Sequence, residues 1–326
     1  MTSPPGSEAC VSSAGSSLSP GWPPAVLDPA GPYSEPVTTL AWALLLGGLA
    51  VFLVVLMALG IALFGSQKLK IRLGGEKAIW IFGFAFPSVV LTGLLVWGLV
   101  LTSSLSAMRI PSDAMRVKVI GEMWWWRVHY LDDDGREVLR DANELHIPVG
   151  QPVLLELEAA DVIHSFWVPR LGGKMDMIPG RTNRLLIEAK QPGVYKGQCA
   201  EYCGGPHALM GFVVVAHARG DFERWRASRR PAVAPGGEGR ALFLSSGCAA
   251  CHTIRGTAAN GLAGPDLTHV GSRQTLGAGI LPNNPGTMAG WIADAQAIKP
   301  RNRMPAYHQF TGEELRALTA YMVSLK

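Results

Sequence analysis

The chain has 326 residues, enough for two folded domains and further segments, with 48% hydrophobic and only 17% charged side chains. Its mean hydropathy of +0.20 leans toward a membrane protein. The net charge of +4 is small and scattered, and no basic run interleaves with aromatics, so the composition argues against a nucleic-acid partner.

Residues 1–39 are rich in Ser, Pro and Gly, contain no Lys or Arg, and lack a basic stretch followed by an apolar core. They read as a flexible extracytoplasmic tail rather than a signal peptide. Cys10 within it is either a free thiol or a lipidation site of a longer precursor. Residues 40–102 then read as a transmembrane hairpin. Leu40 to Phe64 is 25 residues without a charge, and Ile79 to Leu101 is 23. Each exceeds the roughly 20 residues that cross a bilayer core. Pro87 and several glycines are tolerated in such helices. The loop between the spans carries Lys68, Lys70, Arg72 and Lys77. The positive-inside rule puts that loop in the cytoplasm and both termini on the outer face of the membrane.

Residues 103–218 are β-rich. Arg116 to Tyr130 reads as one strand, in which Trp124 and Trp126 share a face and Trp125 points away, followed by a turn at Asp132 to Gly135. Val153 to Leu157, Arg184 to Glu188 and Phe212 to Val215 are further short strands, and the pattern suggests an all-β sandwich or barrel. Within this stretch lies C-A-E-Y-C-G-G-P-H-A-L-M, Cys199 to Met210, with His164 upstream in D-V-I-H-S-F-W-V-P. Thiolates and a thioether beside imidazoles select copper over hard cations. A mononuclear blue-copper site needs one Cys, so the second thiolate lets both sulfurs bridge two metal ions. A Cys199–Cys203 disulfide or half of a zinc site would use the same cysteines, although zinc sites favour Cys and His without Met.

Residues 219–238 turn charged and then Pro/Gly-rich, the composition of a linker. Beyond it, residues 239–326 open with Cys248-Ala-Ala-Cys251-His252, the signature of covalent c-type haem with His252 as an axial ligand. A redox C-x-x-C or half of a zinc site is the alternative. The sixth ligand is expected to be Met304, with Pro305 fixing its loop, and Met288 is the other choice. G-P-D-L at Gly264 to Leu267 and an amphipathic helix from Gly312 to Leu325 complete the segment, with Pro265 beside the histidine.

His164, the Cys199 to Met210 run and K-M-D-M-I-P-G-R (Lys174 to Arg181) resemble the CuA-bearing subunit II of haem-copper cytochrome c oxidases. With the C-x-x-C-H module, the chain is similar to the caa-type subunit II, in which a cytochrome c is fused to the copper subunit. The resemblance implies a multi-domain membrane protein: a two-helix hairpin, an all-β cupredoxin-like Greek-key domain and an all-α class I cytochrome c domain. It implies dinuclear copper on His164, Cys199, Cys203, His207, Met210 and the Glu201 carbonyl, with magnesium at the Glu201 side chain. It further implies electron entry at Trp124 and an acid, Asp176, near the subunit I interface. An acid at a proton-channel mouth would match Glu76, which otherwise reads as a loop charge. Gly121, Glu122 and Met123 stand where the family usually has G-H-Q, which touches the donor-facing surface.

The implied function is electron input to a terminal oxidase of the bacterial plasma membrane. Electrons would pass from haem c to CuA and on to haem a in subunit I, which holds copper B, reduces dioxygen and pumps protons. The partners would be subunits I and III, the lipid bilayer, and a cytochrome c or cytochrome bc complex as donor. A tether would raise the donor module's effective concentration at its docking site. A CuA subunit of a nitric oxide reductase, and a membrane-anchored electron carrier or copper-delivery protein, are the alternative readings. A quinol oxidase subunit would lack the copper ligands.

Overall fold

The computed structural model describes residues 24–106, 109–229 and 236–326; Cys10 and most of the expected tail lie outside the described residues. Two helices, Glu35–Phe64 and Glu76–Leu105, are long and apolar enough to cross a membrane, and the rest of the chain buries neither. Both start earlier than their uncharged runs. Pro36 sits in the first turn of the first helix, where its missing N–H costs nothing. The second includes a π-helical turn, Ile81–Ala85, just before Pro87. Between them, Gln67–Leu73 forms a short helix carrying Lys68, Lys70 and Arg72.

The last part of the expected tail is tied down. The Ala30 N–H donates to the Arg170 carbonyl at 2.7 Å. The Ser34 hydroxyl also reaches the Arg170 carbonyl at 2.7 Å, and Arg170 pairs with Asp28 at 2.7 Å. The first membrane helix therefore starts against the β module.

That module is a sandwich of two five-stranded sheets. The strands are β1 (Met115–Glu122), β2 (Trp125–Leu131), β3 (Glu137–Ala142), β4 (Glu144–Pro148), β5 (Val153–Ala159), β6 (His164–Trp167), β7 (Met175–Met177), β8 (Asn183–Ile187), β9 (Gly193–Cys199) and β10 (Gly211–His217). One sheet runs β3-β2-β1-β5-β8 and the other β4-β10-β9-β6-β7. Each contains one parallel pair, β1 with β5 and β4 with β10, so the strands cross over as the cupredoxin-like expectation requires. Alternation drives the packing: Val117 and Val119 of β1 are fully buried while Lys118 between them faces outward.

Two expectations need correcting. Arg116 to Tyr130 is two strands, with β1 and β2 pairing antiparallel from Arg116↔Leu131 to Glu122↔Trp125 and the chain reversing at Met123 and Trp124. Trp125 and Trp126 are both buried, so strict alternation across the three tryptophans fails at the turn. Also, the segment expected to begin the linker is an α-helix, Arg219–Ser228, which buries Phe222 and Trp225 against the sandwich.

The C-terminal module is helical. Glu238–Ser245 crosses the final helix, Gly312–Ser324, at Gly239, where a Cβ would sit 2.2 Å from the Ala317 carbonyl. The final helix starts with a reciprocal capping box between Thr311 and Glu314. Its inner face, Leu318, Tyr321 and Met322, packs with Phe243, Ile254, Met288 and Ile292 into a second core. A ribbon of two-residue strands, Thr275–Leu276 and Leu281–Pro282, and an isolated bridge between Thr253 and Asn260 are the β structure among the described residues of this module.

Candidate functional site

Three chain segments converge at one end of the sandwich. Strand β6 starts with His164, β9 ends with Cys199, and the loop to β10 supplies Glu201, Cys203, His207 and Met210. The side chains meet in a chain of soft atoms. His164 Nδ1 lies 3.8 Å from Cys199 Sγ, which lies 3.8 Å from Cys203 Sγ. Cys203 Sγ is in turn 3.5 Å from His207 Nδ1 and 3.8 Å from Met210 Sδ. The Glu201 carbonyl oxygen is 3.2 Å from Cys199 Sγ. The cysteines are free thiols, and Cys199, Cys203, His164 and Met210 are buried.

The electrostatics fit a cation. Hydrogen bonding from Cys203 leads the causes that hold the Cys199 thiol down at about 3, with His164 and backbone groups adding to it against burial. The Cys203 thiol is pushed far up, first by its hydrogen bond to Cys199 and then by burial and the negative charge on that neighbour. Without added positive charge the pair shares one proton; a nearby cation would let both sulfurs ionise. The donor set of two thiols, two imidazoles, a thioether and a carbonyl is a soft one that suits copper.

A second layer orients these donors. His164 Nε2 donates to Asp161 Oδ1 at 2.9 Å, which turns Nδ1 toward Cys199. Burial alone would raise the Asp161 carboxyl, but hydrogen bonds from His164 and from the backbone N–H groups of Met123 and Val162 outweigh it and hold it low. Gly121 is needed behind the ring, since a Cβ there would sit 2.9 Å from the imidazole. Trp126 lies tilted over His164 at 6.2 Å and donates its indole N–H to the Gly211 carbonyl at 2.8 Å. Trp124 is half-buried and donates its indole N–H to the Cys203 carbonyl at 2.8 Å. On the outer side, Lys174 lies between Asp176 at 3.4 Å and Glu201 at 3.9 Å, with all three exposed.

The second candidate site is a cavity of about 500 Å³ in the C-terminal module. Cys248, Cys251, His252, Pro265, Met288 and Met304 line it. His252 Nδ1 is 2.9 Å from the Pro265 carbonyl, so Nδ1 is committed as donor and Nε2 is left free. Burial keeps this imidazole neutral, its pKa lowered from the ordinary value, as an iron ligand must be. Met288 is packed in the core at 3% exposure. Met304 stands on a loop whose backbone is held by Asn302 and Gln296 at 2.7 Å each, which favours Met304 as the adjustable donor. The remaining wall comes from the β module: Met123, Trp124, Trp125 and Asn143.

The sequence reading missed several of these groups. Asp161 stands three residues before His164 in the motif already singled out, and its spacing was the available signal. Trp126 lay inside the aromatic run but was assigned through a strand that does not continue.

A family profile described as Cytochrome C oxidase subunit II, periplasmic domain, matches residues 132–217, and one described as Cytochrome c matches residues 237–326. The chain is 36% identical over 271 residues to a cytochrome c oxidase subunit 2 of Alkalihalophilus pseudofirmus, covering 80% of this chain and 77% of that one. It is 31% identical over 283 residues to the subunit 2 of Bacillus sp. PS3, covering 80% and 78%. A crystal structure of the periplasmic domain of subunit II of cytochrome oxidase from Bradyrhizobium japonicum matches at 30% identity and TM-score 0.33, covering 37% of this chain and 96% of that one.

Proposed function

Because this chain belongs to the cytochrome c oxidase subunit II family, in a form with a C-terminal cytochrome c module, we propose that it is the electron-input subunit of a haem-copper oxidase. It would accept single electrons from an outside donor, a cytochrome c or a cytochrome bc complex, and deliver them to subunit I for dioxygen reduction and proton pumping. The observation that carries this reading is the wall shared by the two sites. Trp124 lines the C-terminal cavity and donates to the carbonyl of Cys203. His164, Cys199, Cys203, His207, Met210 and the Glu201 carbonyl would hold dinuclear copper; Cys248, Cys251, His252 and Met304 would hold haem c. When bound, these groups supply one-electron redox chemistry with little rearrangement.

The protein's own contribution is positioning. Strands β6, β9 and β10 fix the soft donors from three directions, so they move little when charge changes. Asp161 orients His164, and Trp126 with Phe166 and Phe212 packs behind it in edge-to-face contacts that exclude water. Trp124 is the electron-entry residue in this reading. The Glu201 carboxylate, exposed beside Asp176 and Lys174, would hold magnesium with subunit I. The two long helices would anchor the chain in a bacterial plasma membrane, with both termini and both modules on the outer face and subunit III as a further neighbour.

Optical and electron paramagnetic resonance spectra of the purified full chain test the assignment. A low-spin c-type haem together with a mixed-valence dinuclear copper signal is the expected result. A mononuclear copper signal, or failure to copurify with a haem-a-containing subunit, would overturn it.

A further inference from the structure

The two modules meet through buried, specifically matched groups. Arg273 of the C-terminal module donates to Asp141 of β3 through Nε at 2.9 Å and Nη2 at 2.7 Å, and Nη2 also reaches the Asp266 carbonyl at 2.5 Å. The two side chains are only 5% and 3% exposed. The Gln274 N–H donates to Glu144 at 2.7 Å, and the Gly211 N–H of β10 donates to the Ala278 carbonyl at 2.8 Å.

Ala278 itself is 1% exposed and belongs to the hydrophobic core of the β module. It projects from Gly277-Ala278-Gly279, three successive residues with φ of +65°, +65° and +83°. A side chain on Gly211 would strike this loop, with a Cβ 2.8 Å from the Ala278 carbonyl.

Lys299 completes the contact. Its residue is 2% exposed, and its ammonium donates to the Trp124 carbonyl at 2.8 Å and the Gly277 carbonyl at 3.0 Å. Among the described residues it pairs with no carboxylate, and burial pushes its pKa down to about 7. A buried amine with only carbonyl partners is a costly device whose geometry is satisfied only when both modules are in place.

On the reading that this chain carries haem in one module and copper in the other, we propose that the haem module is locked on the β module rather than swinging on its tether. Arg273 and Lys299 are the positioning residues that fix its single register with Trp124 as the common wall. A surface ion pair would allow many encounter geometries, because exposed charges tolerate misalignment. Here Arg273, Lys299 and the Gln274 and Gly211 amides are each matched across the contact, so a shifted register leaves a charge or an amide unpaired. Tether length then matters little for electron delivery, since the donor is already seated.

Hydrogen exchange on the full chain, with haem and copper incorporated and held in detergent, reads the lock directly. The Gly211 and Gln274 amides should be protected in the wild type. Asp141→Asn and Lys299→Met should each speed their exchange by roughly tenfold or more, as loosening a buried charged contact does. Amides of the Gly312–Ser324 helix should stay protected, showing that the module remains folded. Wild-type Gly211 and Gln274 exchanging like exposed amides, or holding equal protection in both variants, overturns the lock.

A second readout is the haem-to-copper electron-transfer rate as viscosity is raised with sucrose. A locked module gives a rate independent of viscosity; a rate falling in proportion to viscosity overturns the proposal. Failure of the underlying reading is seen separately, as a missing c-type or mixed-valence copper spectrum in the same sample.

Discussion

Asp161 joins more of this site than any of the expected ligands. It accepts from His164 and from Met123 N–H at 2.8 Å, and lies 3.8 Å from Arg303, the neighbour of Met304. Asp161→Ala should lower copper affinity roughly 10- to 100-fold by freeing the His164 ring. Competition against a chelator on the full chain would measure it, and unchanged affinity would show that packing alone orients the ring. A different residue contributes to acid stability. His217 stacks against Trp225, and burial, with the neighbouring His146 next, lowers its pKa to about 4 from 6.5. Between those values the unfolded chain binds the proton and the folded chain does not. Stability should therefore be full above about 6.5 and fall as the pH drops to about 4. Urea melts across that window should show the slope, and His217→Gln should flatten it. The cluster of soft side chains was legible because such groups at close spacing are rare. The Glu144–His146–His217 chain of 2.7 Å contacts was not, because those three sit on separate strands or alternate strand positions with no motif.

Among the elements, the helix Arg219–Ser228 departs furthest from the sequence reading. It contains three arginines and looks solvated by composition, yet its Phe222 and Trp225 close one side of the sandwich. Trp225 stacks on His146 at 4.1 Å and 13° and lies under Arg229 at 5.2 Å. Trp225→Ala should destabilise the β module by about 3–5 kcal/mol, the usual cost of emptying a buried large aromatic site. The loss should appear as an earlier urea transition followed by tryptophan fluorescence, with the c-type haem spectrum unchanged. Two apolar residues three apart in ten are too weak a period to oppose the charge and Pro/Gly content around them. The final helix was legible for the opposite reason, since its cap residues and its apolar face both lie within one contiguous segment.

For the whole molecule, the proposed hairpin orientation rests on four cations, Lys68, Lys70, Arg72 and Lys77, clustered where the two long helices meet. Ile71→Cys, in the exposed helix between the spans, should react with an impermeant maleimide only from the cytoplasmic side, and Thr182→Cys only from the outside. The swapped pattern would reverse the proposed topology, and labelling of both from one side would overturn it. The three-part organisation could be read from the sequence because each part carries its own local signature: uncharged runs, short alternating strands, and C-x-x-C-H. How the modules face one another could not, because Asp141 and Arg273 are 132 positions apart and Trp124 and Lys299 are 175.

The first membrane helix is continuous over 30 residues, about 45 Å at 1.5 Å per residue, against a hydrocarbon core of about 30 Å. Its first turn is fastened to the Arg170 carbonyl through Ser34, and the Thr38 hydroxyl reaches back to the Val26 carbonyl at 3.3 Å. No slack separates lipid from folded protein on that side. A thicker or thinner bilayer is met by a change in helix tilt, and the tilt carries the extramembrane body with it as a mast carries its head. The height and lean of the Cys199 to Met210 loop above the lipid are thereby set by the bilayer itself.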